Sequence, residues 1–385
     1  MRHLYLAATG QNRGKTTVAL GLVDGFLRRG LRTGFIKPVG QRTVIEEGAP
    51  ADEDAVLMKR VFGLAEPLAA MSPVHIPRGF TKAYIDGDVV DDLPSRIRTA
   101  HAAFADHDVV LVEGTGHAGV GAVVGLSNAI VAGILGTPVI IVSEGGVGRP
   151  IDEIVLNRAL FEAHGVPVAG ALVNKVDLLA QPELPRYLER GLSRHRIPLL
   201  GVLPYQAILS SPTLAMVLEG VHGETLHPGP SLDLVIDGVA VGAMEPHHML
   251  ERVGPGTLVI VPGDREDAIL TLTTAHLVGR ARSASPLEAA GLVESPSAAV
   301  DGHEGAAVGL VLTGGYRPRD AVVAAIRGAD LFATLVAEDT YTVASEVHDL
   351  LVKTHAADTG KIELIKALVA EHLDVDRILE VASPA

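Results

Sequence analysis

The chain has 385 residues and carries 32 Lys and Arg against 46 Asp and Glu, a formal net charge of −14; at roughly 100–200 residues per domain, that length implies two or three domains with their own cores. Hydrophobic residues make up 48%, yet there is no Trp and only 7 Phe and 6 Tyr, so Ala, Val, Leu and Ile must build the interior, and neither basic clusters nor aromatic platforms are present for nucleic acid. The absence of Cys excludes disulfides, thiolate metal sites and thiol nucleophiles, and 42 Gly with 23 Pro follow no collagen period.

The first 205 residues alternate apolar runs with amphipathic patterns. A strand is predicted at 3–8, and its MRHLYLAA opening is too short for a secretory signal before polar GQNRGK. Further strands are predicted at 32–36, 108–113, 138–143, 168–173 and 199–203, with helices at 15–29, 92–105, 151–164 and 183–192. The uncharged run at 122–142 has membrane length, but Gly136-Thr137-Pro138 divides it into a short helix and a strand; the chain reads as soluble and cytoplasmic, without a membrane partner. Regular strand–helix alternation predicts an α/β fold with a parallel sheet that binds its ligand beyond the carboxyl ends of its strands. Beyond Tyr205, residues 222–231 read as a linker. Strands follow at 233–237, 239–243, 257–262, 308–313 and 333–337, with helices at 265–277, 318–327, 342–354 and 360–372, giving a second, smaller α/β domain. Its segment 281–305 lacks either period and is predicted to be a mobile surface loop. The predicted domains are residues 1–220 and 221–385, the second including the C-terminal helices; the apolar face of 360–372 is expected to pack on that domain or on a partner protomer.

The strongest chemical signal is Thr9-Gly10-Gln11-Asn12-Arg13-Gly14-Lys15-Thr16-Thr17, which follows the first strand and opens a helix. That is the context a phosphate-binding loop requires. Backbone amides and the helix N-terminus would surround phosphate oxygens, Lys15 would add a cation, and Thr16 would offer a hydroxyl to Mg²⁺. The two glycines enclose three residues instead of the regular four, and the plainer alternative is a glycine turn with an incidental Lys. Glu113 ends a strand and could hold Mg²⁺, or be a solvated strand-end acid. Lys37 follows strand 32–36 and could meet the γ-phosphate or a substrate anion. Asp52 and Asp54 open a helix, as further metal ligands or as first-turn caps. Asn174-Lys175-Val176-Asp177 can read a purine edge, Asp177 keeping guanine beside adenine, and Pro204 could wall the base pocket. The adjacent His247 and His248 diverge and lack a third ligand.

TGQNRGKTTVALGL, GFIKPVGQ, VVLVEGTG, ALVNKVD and GVLP, in that order, resemble the dethiobiotin-synthetase-like P-loop ATPases, most closely the version at the N-terminus of long bacterial phosphotransacetylases. The resemblance covers residues 1 to about 215. It implies that Lys15 and Thr16 bind phosphate and Mg²⁺, that Lys37 lies near the transferring phosphate, and that Asp54 and Glu113 are acidic metal ligands. The loop is shorter than in the synthetases, which favours the phosphotransacetylase-type branch; His117 stands where the synthetases carry Gly and no substrate-anchoring set for a diaminated fatty acid is matched, which argues against the synthetase reaction. Gly263-Asp264-Arg265-Glu266-Asp267 and Thr313-Gly314-Gly315 make the second domain similar to the DRTGG domain. Asp264, Arg265, Thr313, Gly314 and Gly315 could receive an anionic ligand at a helix N-terminus, or Asp264 and Arg265 could be a capping pair. A transacetylase catalytic domain has no room within 385 residues, so phosphate acetylation by this chain alone is not expected.

The resulting expectation is a Mg²⁺-dependent nucleotide-binding, ATP-hydrolysing regulatory protein, its second domain sensing a small ligand or a partner enzyme of acetyl-phosphate metabolism. The alternatives are an ATP-dependent ligase working through an acyl phosphate, and a GTP-binding switch. A homodimer is the default assembly.

Overall fold

In the computed structural model of this chain, residues 1–89, 91–283, 307–348, 350, 352 and 354–384 are described. Six apolar runs pair as parallel strands in the order Leu199–Pro204, Val168–Val176, Val139–Glu144, Arg2–Ala8, Val109–Glu113, Thr33–Ile36. Each run is continuously apolar because helices cover both faces of the sheet, so Leu4–Ala8, Val109–Val112 and Val139–Val142 are wholly buried. The strand that leads into the glycine loop stands between Val109–Glu113 and Val139–Glu144. Chain order reverses there, which is where such sheets bind ligands. Helices Lys15–Arg28, Leu93–Ala102, Gly148–Ala163 and Leu184–Arg194 match those predicted to within a few residues. The uncharged run breaks as expected: helix Asn128–Leu135 stops at Gly136, whose φ of 62° only glycine adopts freely, and a strand follows. No described helix is long and apolar enough to cross a membrane. Between Thr33–Ile36 and Val109–Glu113 the chain adds the hairpin Thr43–Glu46/Ala49–Asp52, which the sequence pattern did not announce, and helix Glu53–Phe62, at the helix start expected around Asp52 and Asp54.

Residues 207–353 form the second unit. Its sheet runs Glu224–His227, Phe332–Leu335, Gly309–Thr313, Thr257–Pro262, Gly238–Val241, parallel except for the first strand. Successive side chains point to opposite faces, so Val259 and Val261 pack with Ile269, Leu272 and Ile326, while Leu258 and Ile260 pack with Val217, Phe332 and Val343. The expected linker at 222–231 contains the edge strand Glu224–His227, whose polar sequence hides its pairing with Phe332–Leu335. The expected strand at 233–237 is not one: its backbone serves helix Leu214–Val221, Leu234 O accepting from Leu214 N and Pro212 O from Ile236 N. Helix Glu266–Ser283 takes in the start of the predicted loop at 281–305, and the rest of that segment lies outside the described residues.

From Thr354 onward the chain rejoins the first unit, which otherwise ends at Gln206. The division at residue 220, with the C-terminal helices in the second domain, is therefore corrected. Helix Thr359–His372 lies on the loop helix, where a Cβ on Gly21 would come within 2.2 Å of Val369 and one on Gly25 within 3.0 Å of Val375. Arg29 donates to both carboxylate oxygens of Asp376 at 2.7 and 2.9 Å, Leu373 bridges Gly201, and Ser383–Pro384 pairs antiparallel with Arg2 and His3. The second unit is thus inserted, in sequence, into the first.

His3 is 3% exposed, and among the described residues neither of its ring nitrogens has a hydrogen-bond partner. Burial, then His101 with its ring centroid 5.6 Å away, then the chain N-terminus push its pKa down to about 4. Above pH 6.5 both folded and unfolded states hold it neutral. Between 6.5 and about 4 only the unfolded state takes the proton, so stability should fall with pH by on the order of 2–3 kcal/mol. Urea midpoints at pH 7 and pH 5 should show this loss in the wild type and a smaller one in His3→Leu.

Candidate functional site

After Ala8 the chain turns through Thr9–Gly14 into helix Lys15–Arg28. Gly14 has φ 84°, and a Cβ there would fall 2.0 Å from Asn174 Nδ2, so conformation and space both demand glycine. Asn12 is also left-handed, at φ 57°. Thr9 shares a hydrogen bond of 3.1 Å with Ser143, tying the loop's first residue to the strand Val139–Glu144. Gly10 lies under the Arg13 guanidinium, 3.2 Å from an ideal Cβ to Nε. Gln11 is exposed, Lys15 is buried at the helix start, and Thr17 is half-buried one residue beyond Thr16.

Three distant segments meet at Thr16. Its hydroxyl donates to Glu113 Oε1 at 3.1 Å and approaches Asp54 Oδ1 at 3.4 Å. Lys37 Nζ, itself buried, lies 2.6 Å from Asp54 Oδ2 and 2.9 Å from Glu113 Oε1, with Gly114 O at 3.4 Å. Burial works against the Lys37 ammonium, but the carboxylates of Asp54, Glu113 and Asp52 outweigh it and hold its pKa well above the ordinary lysine value. Burial also raises the Glu113 carboxyl; Lys37 opposes that, Asp54 adds to it and Lys15 opposes it. Glu113 Oε2 is buried without a hydrogen-bond partner among the described residues. The two acids opening helix Glu53–Phe62 have separate duties: Asp52 caps it by accepting from Asp54 N at 3.0 Å, and Asp54 faces Thr16 and Lys37.

These oxygens suit Mg²⁺, which takes one or two carboxylates and fills the rest of its octahedron with water and phosphate. The orphaned Glu113 Oε2 is an acceptor in want of a partner, and Thr16 adds a neutral oxygen. Among the described residues no group of three or more His, Cys, Asp or Glu could hold a metal by itself.

Asn174 Nδ2 donates to Arg13 O at 3.2 Å and Lys175 Nζ to Asn12 O at 2.9 Å, so this strand tip props the loop from beneath. Asp177 points into solvent and accepts from Ala180 N at 2.9 Å, capping its own turn. Pro204 pairs in register with Val176, and Tyr205 N donates to Val176 O at 2.8 Å, which sets both residues beside the Asn174 tip.

Sequence reasoning missed Tyr5 and Asn128. Tyr5 donates to Asn128 Oδ1 at 2.8 Å, and Asn128 Nδ2 donates to the carbonyls of Thr115 and His117, both at 2.6 Å. This fixes the turn after Glu113. The one available signal was an amide inside an uncharged run. Also missed were Glu144 and Glu153, which pair with Arg13.

In the second unit the two motifs do converge, because Thr257–Pro262 and Gly309–Thr313 are neighbours with Pro262 opposite Thr313. Gly263 N donates to Thr313 O at 3.0 Å, and the Thr313 hydroxyl meets that of Thr340 at 2.7 Å. Gly314 and Gly315, with φ 81° and 69°, donate to Glu338 O and Val336 O. Arg265 pairs with Asp267 at 3.0 Å, not with Asp264 as the alternative capping pair would have it, and Asp264 is exposed. His247 and His248 pair with Glu245 at 3.6 Å and Glu251 at 3.9 Å.

The AAA domain family matches residues 2–213, and the DRTGG domain family matches residues 216–350. The phosphate acetyltransferase of Pseudomonas putida is 29% identical over 393 residues, covering 97% of this chain and 51% of its own length. That of Nitratidesulfovibrio vulgaris is 27% identical over 384 residues, covering 97% and 50%. The chain therefore spans about half the length of these curated relatives. Among solved structures, the MinD cell division protein of Aquifex aeolicus aligns with a TM-score of 0.35 at 14% identity, over 55% of this chain and 85% of that one. The CBS and DRTGG domains of Clostridium perfringens pyrophosphatase align at 0.26 and 16%, over 43% and 62%.

Proposed function

The chain belongs to the AAA domain family in its dethiobiotin-synthetase-like P-loop form, with a DRTGG domain behind it, and from that premise we propose that it is a Mg²⁺-dependent nucleotide-binding regulatory protein that hydrolyses ATP slowly. The observation that carries this reading is the meeting of Thr16, Lys37, Asp54 and Glu113 at the head of the loop helix. Thr16, Asp54 and Glu113 would hold Mg²⁺, which when bound neutralises charge on the phosphate oxygens. Loop amides and the positive end of helix Lys15–Arg28 orient the phosphate chain, and Lys15 adds a fixed cation. Lys37, held at the same end of the sheet, is placed to answer charge that develops on the terminal phosphoryl group. Asn174 and Lys175 keep the loop in its binding shape, and Asp177 and Pro204 flank the base, ATP being preferred because the Asp177 carboxylate is engaged with its own turn.

The second unit, through Asp264, Arg265, Thr313, Gly314 and Gly315, would sense a small ligand or a partner enzyme of acetyl-phosphate metabolism, the chemistry in the names of its relatives. Calorimetric titration with ATP and with GTP, each with Mg²⁺, should show binding of ATP, and Lys15→Ala should weaken it by ~100-fold or more. Binding of neither nucleotide to the wild type would overturn the reading.

A further inference from the structure

The place of the Arg13 side chain is not explained by the phosphate-loop reading. Its guanidinium is mostly buried, ion-paired through Nη1 to Glu144 and through Nη2 to Glu153 at 3.6 Å. Its Nε is buried with no hydrogen-bond partner among the described residues and lies 3.2 Å from where a Cβ on Gly10 would stand. A buried donor left unused in this loop is costly unless something else completes it.

The carboxylates are arranged for Arg13 to leave. Glu144 has a second cation in Lys175 Nζ at 3.6 Å, and Glu153 has one in Arg149 Nε at 2.7 Å. Removing Arg13 from them therefore strands no acid, whereas a pair lacking such reserves would leave an uncompensated charge. Lys175 also donates to Asn12 O at 2.9 Å, which holds its ammonium at the loop beside Glu144. A planar guanidinium is also the group best matched to phosphate, which it binds through two parallel N–H donors.

We infer that Arg13 is a phosphate-directed cation stored on Glu144 and Glu153 and handed to the polyphosphate chain of the incoming nucleotide. This rests on the nucleotide-binding reading and names a positioning device within that site. The glutamates set the affinity, because the phosphates must compete with them for the guanidinium. Loss of the cation and loss of its storage acid therefore have opposite signs.

The test is calorimetry of Mg²⁺-ATP with the full-length wild type, Arg13→Ala, Arg13→Lys and Glu153→Gln, repeated with inorganic tripolyphosphate to remove the base. Arg13→Ala should bind both ligands ~10- to 100-fold more weakly, Arg13→Lys should recover part of that loss, and Glu153→Gln should bind both several-fold more tightly than wild type. A clasp that merely holds the loop together predicts that Glu153→Gln weakens binding, as Arg13→Ala does. The inference is overturned if Arg13→Ala binds within twofold of wild type, or if Glu153→Gln fails to tighten binding. A wild type that binds neither ligand overturns the nucleotide reading itself, which separates the two failures.

Discussion

Replacing Lys37 by Ala should cost the metal-free protein about 3–5 kcal/mol, and Mg²⁺ should return a large part of it. Lys37 is buried between Asp54 Oδ2 at 2.6 Å and Glu113 Oε1 at 2.9 Å, and both acids are buried as well. An exposed pair of this kind would contribute only about 0–1 kcal/mol, since water screens it. Here the solvent is excluded, so removing the cation leaves two facing carboxylates with Thr16 as their shared donor. A divalent cation at the same oxygens would replace the lost charge twice over. Urea unfolding of wild type and Lys37→Ala, each with and without Mg²⁺ and without nucleotide, checks this. A variant as stable as the wild type, or an equal gain from Mg²⁺ in both proteins, would defeat it.

A chain shortened to residues 1–353 should fail to fold its first unit, although the loop, Lys37, Asp54 and Glu113 would all be present. The C-terminal segment contributes Ile362, Ile365, Leu368, Val369, Leu373, Val375, Ile378 and Leu379, all buried. At about 1.5–3 kcal/mol for each buried side chain, their loss exceeds 10 kcal/mol as an upper estimate. Whole domains are stable by only about 5–15 kcal/mol. The loop helix suffers most directly, because Gly21 and Gly25 leave a groove that Val369 and Val375 fill. Purified 1–353 should show no cooperative thermal transition for the first unit and no ATP binding; a transition close to that of the full chain would refute the claim. Gly21→Val probes the contact within the intact chain, since its side chain would meet Val369 atoms 2.2 Å from the Cβ. It should lower the melting temperature through strain without touching a phosphate-binding group.

Much of the first unit was legible in the residues. A parallel strand covered on both faces leaves a continuous apolar run, and all six of those runs form strands. The second unit was less so: Glu224–His227 is polar because it is an edge, and Leu234 and Ile236 are apolar because they pack beside a helix and not because they form a strand. The site divides in the same way. Gly14, Lys15 and Thr16 could be named from spacing because a phosphate loop is built from consecutive residues. The residues alone left Asp52 and Asp54 each as cap or metal ligand and only the resemblance favoured Asp54; the structure separates them by orientation, Asp52 capping the helix and Asp54 facing Thr16. Arg13 could be placed in the loop, but not joined to Glu144 and Glu153, which lie more than a hundred residues away.

What the sequence determined by itself is therefore local: the strand–helix alternation, the glycine loop opening a helix, and the acid Glu113 and amide Asn174 at two strand tips, all carried by periods and spacings within a few residues. Tertiary structure alone decided that Lys37 lies between Asp54 and Glu113, that Arg13 rests on two glutamates, and that the last helices close over the first one. An apolar helix face states that it must be buried without stating against what. The partner is chosen by shape and charge across distant segments, and here a groove of two glycines chose it.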